Sequence, residues 1–127
     1  MLHAAVSGSP KFFLGSDSAP HDISAKQAGS GGKTAAGVFT QPYCTQLVVG
    51  AFEQAVDRGV VEEGQITKEI LEGFLGGYGR RFYGVEQSME RIVLKKGTEV
   101  VKDSFKGVGI EVVPFRRGQN TWSVEWK

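Results

Sequence analysis

Asp17 and His21 are the side chains best placed to do chemistry in this sequence. They follow the apolar run Phe12-Phe13-Leu14-Gly15 at once, in the string Ser16-Asp17-Ser18-Ala19-Pro20-His21-Asp22. A carboxylate at the C-terminal end of a barrel strand points into the mouth, where barrel enzymes do their chemistry. There it can bind a hard or borderline cation through oxygen, or take and return a proton. The imidazole four positions on can read an anionic group or ligate a metal. Plainer readings stand beside these. Asp17 can hold a turn by accepting backbone N–H groups, and His21 can be a surface loop histidine. His3, near the chain start, is assigned no role.

Other motifs carry less. Gly29-Ser30-Gly31-Gly32-Lys33-Thr34 ends like a phosphate-binding loop, but the glycine that pattern needs five positions before its last glycine is Gln27. No strand leads into it, and no long helix opens after it. Cys44 falls on an apolar helix stripe and reads as a buried structural thiol with no basic neighbour to activate it. Arg80-Arg81 and Arg116-Arg117 read as solvated pairs. Trp122 and Trp126, at strand spacing, share one face and read as packing groups.

The elements that must position Asp17 and His21 follow from the pattern. Residues 2–7 read as the tail of a helix or a short helical turn, which Gly8-Ser9-Pro10 ends, because proline neither donates into a helix nor clears the preceding turn. Lys11–Gly15 reads as a buried strand of a parallel sheet. Residues 24–37 are small and glycine-rich, and read as a loop. Thr40 can cap a helix with Pro42 in its first turn. Cys44, Leu47, Val48, Ala51, Phe52 and Ala55 then mark one apolar stripe, which Arg58-Gly59 closes. A second helix starts at Thr67, stapled by Ile66 and Leu71, with Ile70, Leu71, Phe74, Leu75 and Tyr78 inward and glycines 76, 77 and 79 weakening its end. Residues 92–94, 108–113 and 122–126 read as short strands.

Composition narrows the function. The chain has 127 residues, room for one small domain, and falls well short of the about 250 residues of a closed eight-stranded barrel. Fifteen Lys+Arg against fourteen Asp+Glu give a net charge of +1, which leaves little electrostatic case for nucleic acid or an anionic membrane. No apolar run approaches a membrane span, and residues 1–6 do not read as a secretory signal. A single cysteine fits a reducing, cytoplasmic setting.

The string Phe13-Leu14-Gly15-Ser16-Asp17-Ser18-Ala19-Pro20-His21 resembles the last-barrel-strand signature of dihydroorotases, the single-function type of bacteria and fungi. The resemblance continues through Ala36-Gly37-Val38-Phe39, Phe52-Glu53, Arg81-Phe82-Tyr83-Gly84, Val112-Val113-Pro114-Phe115 and Thr121-Trp122-Ser123-Val124, in order and over nearly the whole chain. It implies an α/β fold: the C-terminal fragment of a (β/α)₈ TIM-barrel metallo-hydrolase of the amidohydrolase superfamily. Residues 1–39 would be the last strand and active-site loop, 40–84 the helices, and 85–127 a C-terminal extension with short strands.

The activity implied is the reversible cyclisation of N-carbamoyl-L-aspartate to dihydroorotate in pyrimidine biosynthesis, on a pair of zinc ions. Asp17 matches the aspartate that ligates metal and shuttles the proton. His21 matches the histidine that binds the substrate carboxylate, and Ala36 a backbone contact to substrate. The family's His-x-His pair, carboxylated lysine, two further histidines, and substrate-binding arginine and asparagine have no match here. Lys11, Lys26 and Lys33 do not stand where the bridging lysine would. The expectation is therefore a chain that is inactive alone. The alternative is a non-catalytic interaction module that docks on a full-length homologue. A small-molecule substrate is the expected partner, and a homodimer is the assembly the resemblance allows.

Overall fold

The computed structural model describes residues 1–27 and 32–127. In chain order it has α1 (Leu2–Ala5), α2 (Ile23–Lys26), a 3₁₀ turn (Gln41–Tyr43), α3 (Cys44–Asp57), a second 3₁₀ turn (Glu63–Gln65) and α4 (Lys68–Glu72). A π turn (Gly73–Gly77) leads into α5 (Tyr78–Phe82). Strands β1 (Ile92–Val100), β2 (Phe105–Gly107), β3 (Ile110–Val112) and β4 (Asn120–Trp126) follow. The strands form two two-stranded sheets, β1 with β4 and β2 with β3. The fold is thus mixed helix and sheet. Among the described residues no helix is long and apolar enough to cross a membrane.

The chain divides into two compact units, one of residues 1–15, 48–93 and 124–127, the other of 16–47 and 94–123. The first packs around Ala5, Val6, Phe52, Ala55 and Val61, with Leu2, Val48, Val56, Ile66, Leu71 and Phe74 against them. Phe52 is 2% exposed, and its ring meets Phe74 edge-on at 6.1 Å. Removing such a side chain from water stabilises by about 1.5–3 kcal/mol. Ile66 and Leu71 both pack against this core. Thr67 caps α4 by accepting from Ile70 N–H at 3.3 Å. The helix does not run on as one α-helix. It widens into the π turn at Gly73, where a Cβ would stand 2.3 Å from Cζ of Tyr78. The bare glycine lets the Tyr78 ring lie against the backbone, and the Tyr78 hydroxyl donates to Gly8 C=O at 3.0 Å.

The apolar stripe of α3 differs in detail from the sequence reading. Val49, Phe52 and Ala55 are buried, Ala51 is exposed and Cys44 is half-buried. Gln46 is buried too, so the inward face is rotated about one position from the face read off the apolar letters. Gly59 ends the helix at φ +66° as expected.

Lys11–Gly15 is not a strand. Its residues take no strand pairing among the described residues, Phe12 is exposed, and Leu14 N–H donates to Phe74 C=O at 2.9 Å instead. A strand exists only where a second backbone completes its ladder. This apolar run has a carbonyl of the π turn beside it, not a neighbouring strand.

In the second unit, residues 24–37 are not all loop: Ile23–Lys26 is the helix α2, with Asp22 as N-cap. Residues 28–31, which carry most of the glycine-rich run and the phosphate-loop look-alike, lie outside the described residues. Isolated bridges pair Ser18 with Val38, Asp22 with Val112 and Phe39 with Pro114. Tyr43 and Val101 are the buried apolar centre, at 4% and 1% exposure. The Tyr43 hydroxyl accepts from Lys102 N–H at 3.2 Å. Phe39 and Phe105 pack edge-on at 5.7 Å. Strand β2 was not foreseen. It pairs antiparallel with β3, Lys106 opposite Glu111, and those side chains form an ion pair at 3.5 Å. Trp122 is half-buried in β4 but Trp126 is exposed, so the two do not make one packed face.

Candidate active-site loop

The loop 16–22 is fixed by residues on either side of Asp17. Ser18 Oγ accepts from the N–H groups of Thr40 at 3.2 Å and Gln41 at 3.0 Å. Thr40 Oγ1 donates to Ser16 C=O at 3.1 Å. Ala19 N–H donates to Val38 C=O at 2.9 Å. The cap on the 3₁₀ turn that leads into α3 is therefore Ser18, a partner far in sequence. Thr40 itself makes no side-chain cap.

Asp17 is pinned between these anchors at φ +43°, in the left-handed region. Such a backbone costs a non-glycine residue about 1–2 kcal/mol, least for Asp and Asn. Its side chain is exposed and makes no hydrogen bond or ion pair among the described residues. The turn-holding role belongs to Ser16, whose hydroxyl accepts from Ser18 N–H at 3.4 Å. A strained carboxylate left unused by its own turn is a common mark of a functional position.

His21 is exposed, on the rim of a cleft of about 400 Å³ that Lys26, Phe39, Val113 and Arg117 also line. Gly37 forms its near wall. A Cβ there would stand 2.7 Å from Ala19 Cβ and 3.3 Å from His21 Nε2, so only glycine lets the two segments approach this closely. Ala36, the third expected site residue, is exposed beside Gly37. Its carbonyl accepts from Lys26 Nζ at 3.3 Å. The structure thus brings His21 and the Ala36 segment to one cleft, and sets Asp17 in the loop that leads to it.

Sequence reading passed over Asp22. Its carboxylate accepts from Ser24 Oγ at 2.6 Å, Ser24 N–H at 2.9 Å and Glu111 N–H at 2.9 Å. The Ser24 hydroxyl first, then the Glu111 and Ser24 amides, lower its pKa to about 2. An Asx turn at Asp22-Ile23-Ser24 was readable in the sequence; its link to β3 was not. Cys44 is no nucleophile candidate, since burial pushes its thiol pKa up.

A zinc pair does not fit the described residues by themselves. No three His, Cys, Asp or Glu side chains converge there, and a closed or catalytic zinc site takes at least three protein ligands. Asp17 stands as a single exposed carboxylate.

Comparison with known proteins decides the relationship. No family model matches. A dihydroorotase of Erythrobacter litoralis is 40% identical over 119 residues, covering 94% of this chain and 31% of that protein. The dihydroorotase of Saccharomyces cerevisiae is 34% identical over 133 residues, covering all of this chain and 33% of the relative. The crystal structure of the yeast enzyme superposes with a TM-score of 0.75 at 32% identity, covering 99% of this chain and 33% of that one. The chain is homologous to dihydroorotases over about a third of their length. A Campylobacter jejuni dihydroorotase structure agrees, with a TM-score of 0.70 at 25% identity over 98% of this chain and 33% of that one.

Proposed function

We propose that this chain is the C-terminal portion of a (β/α)₈ dihydroorotase, and that it supplies three elements of the active site. Asp17 is the proton carrier. It accepts a proton as water adds to the ring carbonyl of dihydroorotate, and returns it to the ring nitrogen as the C–N bond breaks, leaving N-carbamoyl-L-aspartate. It also offers one oxygen ligand to a zinc pair whose other ligands this chain does not carry. His21 and the backbone at Ala36 hold the substrate carboxylate at the cleft.

The observation that supports this best is the state of Asp17: left-handed, exposed and, among the described residues, unpaired between two anchored serines. The carboxylate is held in place by its neighbours and is not spent on holding them. By this reading the isolated chain turns nothing over. The protein acts in the cytoplasm on a small anionic substrate, without nucleic acid or membrane. A second reading, docking of a non-catalytic chain on a full-length homologue, is favoured by Phe82 and Tyr83, which are 70% and 71% exposed. It takes a homodimer-like pairing of related folds as its assembly.

The test is dihydroorotate hydrolysis by the purified chain with zinc, and by a yeast dihydroorotase in which this chain replaces the matching third. The chain alone should be silent and the chimera active. Asp17→Asn in the chimera should lower turnover at least about a thousandfold, in line with loss of an essential acid–base group. Full turnover by that variant ends the proposal. Stable binding of the isolated chain to intact yeast enzyme, with a silent chimera, favours the docking reading.

A further inference from the structure

Lys26 sends its ammonium into three successive carbonyls. Nζ donates to Ala35 C=O at 2.8 Å, to Ala36 C=O at 3.3 Å and to Gly37 C=O. The side chain is half-buried. Ala35 N–H in turn donates to Ala25 C=O at 2.9 Å, which ties the start of this segment to α2. A single cation gathers the backbone of residues 35–37 against the helix that carries it.

Peptide geometry gives this a consequence. The described residues have no cis bonds, and in a planar trans peptide the N–H points opposite to the C=O. With the Ala35 and Ala36 carbonyls turned to Lys26, the N–H groups of Ala36 and Gly37 are turned away from it. Neither has an acceptor among the described residues. Successive N–H groups that face one way form an anion-binding concavity. His21 Nε2 lies at its edge, 3.3 Å from where a Gly37 Cβ would be. The carbonyl oxygens would repel an anion, and the ammonium holds them out of its way.

We propose that Lys26 is a positioning residue for this anion site. It acts through the backbone that it holds. It fixes the peptide planes of residues 35–37 so that the Ala36 and Gly37 amides are presented beside His21. The inference rests on the carboxylate-binding reading of His21 and Ala36 given above.

The test uses the ¹⁵N-labelled full chain, with Lys26→Met and Lys26→Arg as variants and N-carbamoyl-L-aspartate as probe. In the wild type, amide order parameters at residues 35–37 should sit near the rigid-backbone value of about 0.85, and the Ala36 and Gly37 resonances should move on titration. Lys26→Met should drop those order parameters below about 0.6 and raise the apparent Kd at least about tenfold, with far-ultraviolet circular dichroism unchanged. Lys26→Arg, which can still donate to the carbonyls, should recover most of both. Unchanged order and affinity in Lys26→Met overturn the proposal, and so does a loss of order spread evenly over residues 16–47. A wild type that ignores the probe while Lys26→Met still loosens residues 35–37 overturns the carboxylate reading and supports the hold exerted by Lys26.

Discussion

Ser18 Oγ sits 3.2 Å from the backbone nitrogen of Thr40, twenty-two residues along the chain, and caps the turn that leads into α3. One hydroxyl therefore fixes both the helix entrance and the residue after Asp17. Ser18→Ala removes the acceptor for two N–H groups, those of Thr40 and Gln41. Loss of a cap of this kind costs about 1–2 kcal/mol. Urea unfolding should show that loss with an unchanged m-value. Thr40→Ala should cost less, because the Thr40 hydroxyl makes only the one bond to Ser16 C=O.

Asp22 sets a pH dependence. Its pKa is about 2 in the fold against an ordinary 3.8. The folded state therefore favours the ionised form, and the unfolded chain binds more protons between those values. The stabilisation is fully present above pH 3.8 and is lost as pH falls through about 2. Asp22→Asn should flatten the acid limb of stability in that window. It should also loosen Glu111 N–H, which hydrogen exchange would report. An acid limb as steep in the variant as in the wild type would assign the loss to other carboxylates.

Much of this was legible in the sequence where the signal is local. The Thr67 cap and the Gly59 stop are each set by residues within five positions. What escaped depends on distant partners. The run Lys11–Gly15 has the composition of a buried strand, but composition supplies no neighbouring backbone to pair with. Thr40 has the right type for a cap, yet Ser18 takes the position from the far side of the loop. Lys26 matches no metal-bridging lysine. Its contacts to residues 35–37 lie nine to eleven positions away and carry no sequence signature.

Gly37→Ala tests the near wall of the cleft. The added methyl would meet Ala19 Cβ at 2.7 Å and Ala19 C=O at 2.8 Å, at a backbone φ of +94°. Neither neighbour is a flexible side-chain end, so the backbone must shift. The left-handed conformation alone costs an L-residue about 1–2 kcal/mol. Stability should fall by at least that much, and the His21 ring resonances should move with it. A fully stable Gly37→Ala protein with an unmoved His21 would show that the two segments do not need this close approach.

Phe52 and Phe82 carry the same side chain in opposite surroundings. Phe52 is 2% exposed and packs on Phe74, whereas Phe82 is 70% exposed and touches Phe13 at a ring distance of 5.3 Å. Phe52→Ala opens a cavity in the centre of its unit and should cost about 3–5 kcal/mol. Small domains have only about 5–15 kcal/mol in total, so this variant should be partly unfolded at modest denaturant. Phe82→Ala removes exposed ring contacts to Phe13 and Tyr83, worth about 0.5–1.5 kcal/mol in all, and little burial. Parallel urea titrations should separate the two by at least about 1.5 kcal/mol. Equal losses would mean that Phe82 is covered in solution, and light scattering on the wild type would then show the larger assembly that covers it.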